Sequence, residues 1–357
     1  MKRMIAMICA ALVLSGCGGK EQTELSHAEL LELGSIDIPG EYEHLSFSTA
    51  PRLELPKYVY DGELVQAEDY YEYEAEICRF FTGSSELEMH TSFAGTEDEL
   101  RQCELPNGGT LNLNRNGEVG YIRDSSAFDY RDEASYERVV FLDMEYEDIL
   151  IRQNGTDMEL SELVSSVKGQ LDTYTELTHG GEQIPKRAYI KSSRGSDTVL
   201  FHFSQGVYGT PLASFNTRCT GSIANAAEEW GTAVAVGSDG EIIFFSDIDG
   251  ERRPAAQEGG LDSILTPRSA ANALDGYLAP NTSYTVCSVS LELLPLISGN
   301  PRENDEGFQW TVSATNHGTV LTVEPYWSFV LLEEFSGRTY DAAVNAISGD
   351  IFFGREA

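Results

Sequence analysis

The chain has 357 residues, with 24 basic and 58 acidic side chains and a formal net charge of −34. Such a field repels nucleic acid, so the composition excludes nucleic-acid binding. Hydrophobic residues make up 41% and aromatic residues 10% of the chain, which indicates packed globular lobes and not an acidic disordered protein.

The first residues have the layout of a secretory signal. Lys2 and Arg3 precede an apolar run from Met4 to Leu14, which is too short to span a bilayer as a helix. The sequence Leu-Ser-Gly-Cys that ends at Cys17 resembles the lipobox of bacterial lipoproteins, in which the signal is cut before the cysteine and the cysteine carries lipid. The alternative is an ordinary signal peptide that happens to precede a cysteine. We expect residues 1–16 to be removed and Cys17 to carry the lipid.

The mature chain would begin with an acidic tether, residues 17–44. Removing residues 1–16 takes away two basic residues and no acids, so the net charge becomes −36. We expect an extracytoplasmic protein that is attached to the cell membrane through its N-terminal lipid.

An N-terminal lobe is expected over residues 45–255. Helical spacing of apolar residues predicts one helix from Tyr70 to Phe81 that stops at Gly83. A second helix is expected to begin with a capping box, Thr156 and Glu159, and to present one apolar stripe to the core.

A C-terminal lobe is expected over residues 256–357. Thr266 followed by Pro267 predicts the start of a third helix, whose inward side chains include Ala270, Leu274 and Tyr277. Two long strands follow. Their alternation places Cys287 on one apolar face. The other residues of this face are Val289, Leu291 and Leu293 on the first strand and Leu321, Val323, Trp327, Phe329 and Leu331 on the second.

One hairpin pattern occurs three times. Gly117, Gly240 and Gly349 each lie between two apolar strands, because a tight hairpin needs a residue at positive φ. In the third copy the incoming strand is out of register by one residue, which predicts a turn of different length. Helices packed on antiparallel meanders, repeated in tandem, indicate an α+β fold of two lobes.

The C-terminal half resembles PepSY-like domains and the YycH/YycI-type extracytoplasmic regulators, and the order of units resembles lipoproteins of Gram-positive anaerobes. The resemblance covers about the last 200 residues. It rests on Pro325, Trp327, Val344, Ala346, Gly349, Asp350 and Ile351. It implies two tandem PepSY-like lobes with a sensory or regulatory role.

The mature chain keeps four further cysteines, Cys78, Cys103, Cys219 and Cys287. They allow two disulfides, most simply Cys78–Cys103 and Cys219–Cys287, although four cysteines permit three connectivities. Four buried free thiols are the alternative.

No catalytic motif, metal-ligand spacing or cofactor motif is apparent. Ser165 and Lys168 match Ser-x-x-Lys, but they lie on an amphipathic helix and lack the partner motifs of penicillin-binding enzymes. We therefore expect a non-enzymatic binding or regulatory module that contacts another envelope protein. The alternatives are an envelope hydrolase with an unrecognised acidic site and a solute-binding lipoprotein, although the βαβ alternation expected of the latter is not visible.

The lipobox generates a prediction about location. Cys17→Ser should release the protein from the membrane fraction or stall removal of the signal, because the lipidated sulfur is lost. Fractionation of cells that express either form measures this. A mutant that stays on membranes through detergent-free, high-salt washes would contradict lipid anchoring.

Overall fold

The structure is a computed structural model. It describes the following residues: 24–26, 38, 42–47, 59–66, 70–96, 99–105, 108–115, 117–124, 137–144, 146, 148–178, 180–193, 195–212, 231–247, 252–255, 263–296, 302–304, 307–309 and 321–353.

Three α-helices are described, together with a 3₁₀ turn at Tyr70–Tyr73 that leads into the first. They are α1 (Glu74–Thr82), α2 (Leu160–Thr178) and α3 (Pro267–Tyr277). Gly83 ends α1 in the left-handed conformation, as the sequence predicts. Thr266 caps α3 through its side chain, which accepts a hydrogen bond from the Ser269 amide, and Pro267 occupies the first turn.

The strands are named here in chain order. The first twelve are β1 (Glu24–Ser26), β2 (Leu45–Phe47), β3 (Gly62–Gln66), β4 (His90–Ser92), β5 (Leu100–Glu104), β6 (Gly108–Asn114), β7 (Val119–Asp124), β8 (Arg138–Phe141), β9 (Leu150–Gln153), β10 (Thr156–Glu159), β11 (Glu182–Ser193) and β12 (Ser196–Val207). The others are β13 (Thr210–Pro211), β14 (Thr232–Val236), β15 (Ile242–Asp247), β16 (Arg252–Pro254), β17 (Ser263–Leu265), β18 (Tyr284–Leu296), β19 (Arg302–Asn304), β20 (Gly307–Gln309), β21 (Leu321–Glu333), β22 (Thr339–Asn345) and β23 (Ile351–Phe353).

The first sheet is antiparallel and contains ten of the described strands. Its order is β4-β5-β6-β7-β15-β14-β12-β11-β8, and β13 pairs with β12. Helices α1 and α2 cover one face, where alternate strand residues such as Val199, Phe201 and Phe203 join the helical stripe in one core. The sequence pattern predicts this shared face correctly.

The second sheet contains seven of the described strands. Its order is β16-β3-β21-β18-β2, with β22 beside β21 and β23 beside β22. All pairs are antiparallel except β2 with β18. Helix α3 covers one face, where Trp327 is fully buried and its Nε1 donates a 2.8 Å hydrogen bond to the Leu265 carbonyl. The chain therefore has an α+β fold, as predicted.

The three glycine hairpins are present, and the third has a longer turn. Gly117, Gly240 and Gly349 have φ of 95°, 81° and 78°. In the first two turns the glycine amide donates to the carbonyl three residues earlier, whereas the amide of Gly349 donates to Asn345, four residues earlier. The side chain of Asn345 caps this extra residue by accepting from the amides of residues 347 and 348.

Two local predictions for the helices are wrong. Thr156 and Glu159 do not form a capping box, because residues 156–159 are strand β10, which pairs with β9 before α2 begins. Hairpin pairing with the preceding strand overrides the capping signal. Tyr277 is 57% exposed instead of facing inward, while Ala270 and Leu274 are buried as predicted.

The predicted apolar face of the long strands also needs a correction. A β-bulge between Val286 and Ser288 shifts the alternation, so Val286 faces the α3 core and Cys287 is only partly buried. Further along the strands, Leu293 and Val323 leave that core and join a separate cluster between the two sheets.

The second sheet is built from both ends of the described chain. Strands β2, β3 and β16 belong to it, although they lie within residues 45–255, the range expected for the first lobe. Periodicity within a strand does not identify its partner, so the sequence could not place these strands. The lobe of the first sheet is thus an insertion between β3 and β16.

The segment predicted as a tether is partly docked. Strand β1 pairs with β17, and Ile38 is buried in the α3 core. The amides of Glu43 and His44 both donate to the Asp275 carboxylate of α3. No described helix is long and apolar enough to cross a membrane.

The hairpin glycines provide a test of the repeat. Gly240→Ala should lower the free energy of unfolding by about 1–2 kcal/mol, because an added Cβ meets no neighbour there and only the positive φ is strained. Gly169→Ala is the matched control on the exposed side of α2 and should instead raise it by up to about 1 kcal/mol. Urea unfolding measures both changes, and equal effects of the two substitutions would contradict the assigned turn.

Candidate functional site

The two sheets turn their uncovered faces toward each other. Between them lies a cavity of about 480 Å³. The first sheet contributes Asn112, Gly120, Ile122, Leu200, His202, Ser204, Thr232, Ala233, Phe244 and Ser246 to its wall, and the second contributes Ser288, Ser290, Glu292, Ser328, Val330 and Asp341. Helices α1, α2 and α3 lie on the outer faces, so the cavity is at the centre of four layers.

A β-bulge brings two basic side chains into this cavity. In β11 the register with β12 shifts between Pro185 and Arg187, so Lys186 lies in the bulge. Alternation would send neighbouring side chains to opposite faces, but here both Lys186 and Arg187 line the cavity. The missing amide hydrogen of Pro185 makes a ladder interruption favourable at this point.

Lys186 crosses from the first sheet to strand β18 of the second. Its Nζ lies 2.5 Å from Glu292 Oε1 and 3.6 Å from Asp143 Oδ2. It also donates a 2.8 Å hydrogen bond to Ser290 Oγ, and that hydroxyl donates to Glu292 Oε1 at 2.8 Å. Only 16% of the lysine side chain is exposed, so this is a buried charge held by carboxylates from both sides.

Asp143 is the second link between the sheets. It follows β8, and the Leu142 amide fixes the loop by donating to the Lys186 carbonyl. Its Oδ2 accepts a 2.6 Å hydrogen bond from Ser288 Oγ of β18. Its Oδ1 is buried and has no hydrogen-bonding partner among the described residues.

A third link joins Arg187 to Asp341 of β22. Their closest charged atoms are 4.0 Å apart, and the guanidinium lies 5.4 Å from the centre of the Phe141 ring. We refer to the seven residues that join the sheets as the ionic clamp: Asp143, Lys186, Arg187, Ser288, Ser290, Glu292 and Asp341. Three of its side chains are acidic and two are basic, so the clamp has a formal charge of −1 when all are ionised.

The clamp shifts the pKa values of its members in different directions. Burial raises the pKa of Asp143, and the nearby Glu292 adds to the rise. Burial would also raise the pKa of Glu292, but Lys186 and Ser290 outweigh it and hold that pKa below its usual value. Burial opposes the charge of Lys186, yet Glu292 and Asp143 raise the lysine pKa above its usual value.

This arrangement can hold a small polar ligand against both sheets at once. The volume lies within the range of about 300–1,000 Å³ that is usual for ligand sites. No group of three or more His, Cys, Asp or Glu side chains in the described part of the chain is arranged to hold a metal ion.

The site residues predicted from the sequence either lie away from the cavity or are not among the described residues. Cys17 and Cys219 are outside the described residues. Cys78, Cys103 and Cys287 have reduced sulfurs in the structure, and burial raises the pKa of Cys78 to about 11. The proposed pairings stay predictions.

The two residues of the Ser-x-x-Lys match each contact another residue of α2. The Ser165 hydroxyl donates to the carbonyl of Ser161, one turn earlier in α2. Lys168 pairs with Asp172, one turn later. A hydroxyl bonded to the carbonyl one turn earlier and an i,i+4 ion pair are both common on the exposed side of a helix.

Sequence reasoning missed every residue of the clamp. Ser288, Ser290 and Glu292 alternate with apolar neighbours, which is also the pattern of a strand that faces water. The usable signal was Pro185-Lys186-Arg187, where a proline and two basic residues interrupt an apolar strand. A bulge beside a site has this signature.

Comparisons with known proteins identify a fold and no family. No family model matches the chain, and no curated protein matches it in sequence. The crystal structure of an uncharacterised protein from Eubacterium rectale aligns with 87% of this chain and 91% of its own, with a TM-score of 0.52 and 13% identity. The C-terminal domain of Bacillus megaterium YpeB aligns over 81% of this chain and all of its own, with a TM-score of 0.37 and 12% identity.

The opposite pKa shifts predict opposite effects of two substitutions in the clamp. Glu292→Gln should lower the free energy of unfolding at pH 7 by about 3 kcal/mol, because it removes the closest partner of a buried lysine. The folded-state pKa of Glu292 is lowered, so this loss should disappear as the pH falls through that pKa.

Asp143→Asn should raise the free energy of unfolding at pH 7. The folded-state pKa of Asp143 is raised, so its ionised form destabilises the fold, and the gain should vanish below the ordinary aspartate pKa. Urea unfolding from pH 3 to pH 8 measures both series, with Asp172→Asn on α2 as the surface control. Losses of equal size in both clamp variants at pH 7 would contradict the assigned charges.

Proposed function

We propose that this chain is a lipid-anchored, extracytoplasmic protein of two PepSY-like lobes that acts as a non-enzymatic binding or regulatory module of the cell envelope. The lipobox at Cys17 supports the anchor, and the pattern of residues 325–351 supports the family. The acidic charge disfavours nucleic acid and anionic polymers as partners.

The cavity between the sheets is the observation that carries the binding role. Its walls come from both sheets, and they combine apolar side chains such as Phe244 and Val330 with buried polar groups. A ligand in this position would contact both lobes. Ligand sites of this kind commonly lie where two structural units meet.

The same position supports a regulatory role. The ionic clamp holds the two sheets together through residues that also line the cavity, such as Lys186 and Glu292. A ligand that changes the pairing of these charges changes the relative free energy of two arrangements of the sheets. Another envelope protein that contacts both lobes would detect that change.

An envelope hydrolase is the second candidate. Two carboxyl groups whose environments shift their pKa values in opposite directions, here Asp143 and Glu292, are typical of an acid and base pair. We rank it second because Lys186 Nζ lies between them, 3.6 Å from one carboxylate and 2.5 Å from the other. The ammonium group occupies the space that a scissile bond would need.

One substitution can narrow the cavity and leave the backbone unstrained. A Cβ on Gly120 meets only the Asn112 side chain, at 3.7 Å or more, so Gly120→Val should fold and fill part of the cavity. Gly169→Val places the same side chain on the exposed face of α2, where it meets nothing. This variant is the matched control.

Ligand-observed NMR with a panel of small envelope components tests the binding role. We propose amino acids, amino sugars, short muropeptides and simple aromatic amines, alcohols and acids as probes. At least one should bind the wild type and Gly169→Val but not Gly120→Val. Equal binding by all three proteins, or no binding at all, would contradict a ligand cavity. Release of sugar or peptide from purified peptidoglycan, lost in Glu292→Gln, would favour the hydrolase.

A further inference from the structure

Charge decides which ligands suit the cavity. Three carboxylates and two cations line it, and the lysine already has two carboxylates and a hydroxyl around its ammonium group. An anionic ligand would meet excess negative charge in a buried setting, where charge interactions are strong. A cationic ligand would instead neutralise the excess.

One atom of the clamp is left for such a ligand. Asp143 lines the cavity and its side chain is 90% buried, because 10% of it is exposed. Ser288 and Lys186 occupy its Oδ2, whereas no described residue donates to its Oδ1. A buried carboxylate oxygen without a donor is unfavourable, so a donor from a ligand would gain a charge-assisted hydrogen bond there.

The rest of the wall favours an organic cation over a metal ion. Lys186 Nζ is 3.6 Å from Asp143 Oδ2, and its charge repels a divalent metal ion at this carboxylate more strongly than a singly charged organic cation. Carboxylates in a group large enough to replace the water shell of a metal are not found among the described residues. The ring of Phe141, two residues before Asp143, offers apolar surface to the body of an organic ligand.

We propose that the cavity binds an organic cation, with a primary ammonium or guanidinium group held by Asp143 Oδ1 and an apolar body packed on the Phe141 ring. This deepens the proposed function and rests on it. The class includes free amines and the basic side chains of peptides. The chemistry that recognises the charged group is the same for both.

Three probes of one shape and different charge test the proposal. They are 2-phenylethylamine, 2-phenylethanol and 3-phenylpropionate, titrated at pH 7.5 into the full chain in a non-ionic detergent. The amine should bind at least ten times more tightly than the alcohol, and the acid should bind least. Asp143→Asn should weaken amine binding at least tenfold and leave binding of the alcohol unchanged.

Two further variants locate the binding. Asp172→Asn removes a carboxylate that also neighbours a lysine, but on the surface of α2, and it should bind the amine as the wild type does. Gly120→Val lies four strands from Arg187 in the first sheet, so it should leave amine binding at Asp143 unchanged. Asp143→Asn is expected to be at least as stable as the wild type, so loss of binding cannot be attributed to unfolding.

The outcomes separate this inference from the proposed function. Equal binding of the amine and the alcohol would overturn the cation site, and so would amine binding that Asp143→Asn does not change. In either case the binding role is retained if Gly120→Val still prevents binding of another member of the panel. Preference for the acid also overturns it. If none of the probes, nor any member of the wider panel, binds the wild type, both the cation site and the binding role fail.

Discussion

The constraint on which this structure depends is the desolvation of charge between two sheets. An ion that leaves water for a protein interior loses several kcal/mol of solvation even after relaxation. Lys186 is acceptable there because Glu292 comes from the opposite sheet, at 2.5 Å, and compensates its charge. The buried charges of each sheet are therefore paired only when the other sheet is in this position.

That dependence explains why the bulges matter more than the regular parts of the strands. One bulge in β11 directs Lys186 and Arg187 to the same side, and another in β18 resets the alternation so that Ser288 faces them. If one of these bulges were absent, a charged residue of that strand would point into the core that the helices cover. The apolar cores fix the outer layers, and the bulges fix how the inner faces meet.

The parts of this fold that were predictable are those in which cause and effect lie close in sequence. Gly240 and Gly349 mark turns because φ is a property of one residue, and Thr266 and Pro267 mark a helix start because capping acts within one turn. The clamp is different. Lys186 and Ser290 are 104 residues apart, and an alternating polar face has the same pattern whether it meets water or a second sheet.

The second sheet pairs strands from early and late parts of the chain, and this affects the order in which the two sheets can fold. All the strands of the first sheet lie between residues 90 and 247, so that sheet can assemble from one continuous stretch as it is synthesised. The second sheet cannot, because β2 pairs with β18 and His44 meets Thr282, 238 residues away. Contacts between such distant segments form slowly. The earliest strands of the chain therefore stay unpaired longest, and the second sheet is the last part to be completed.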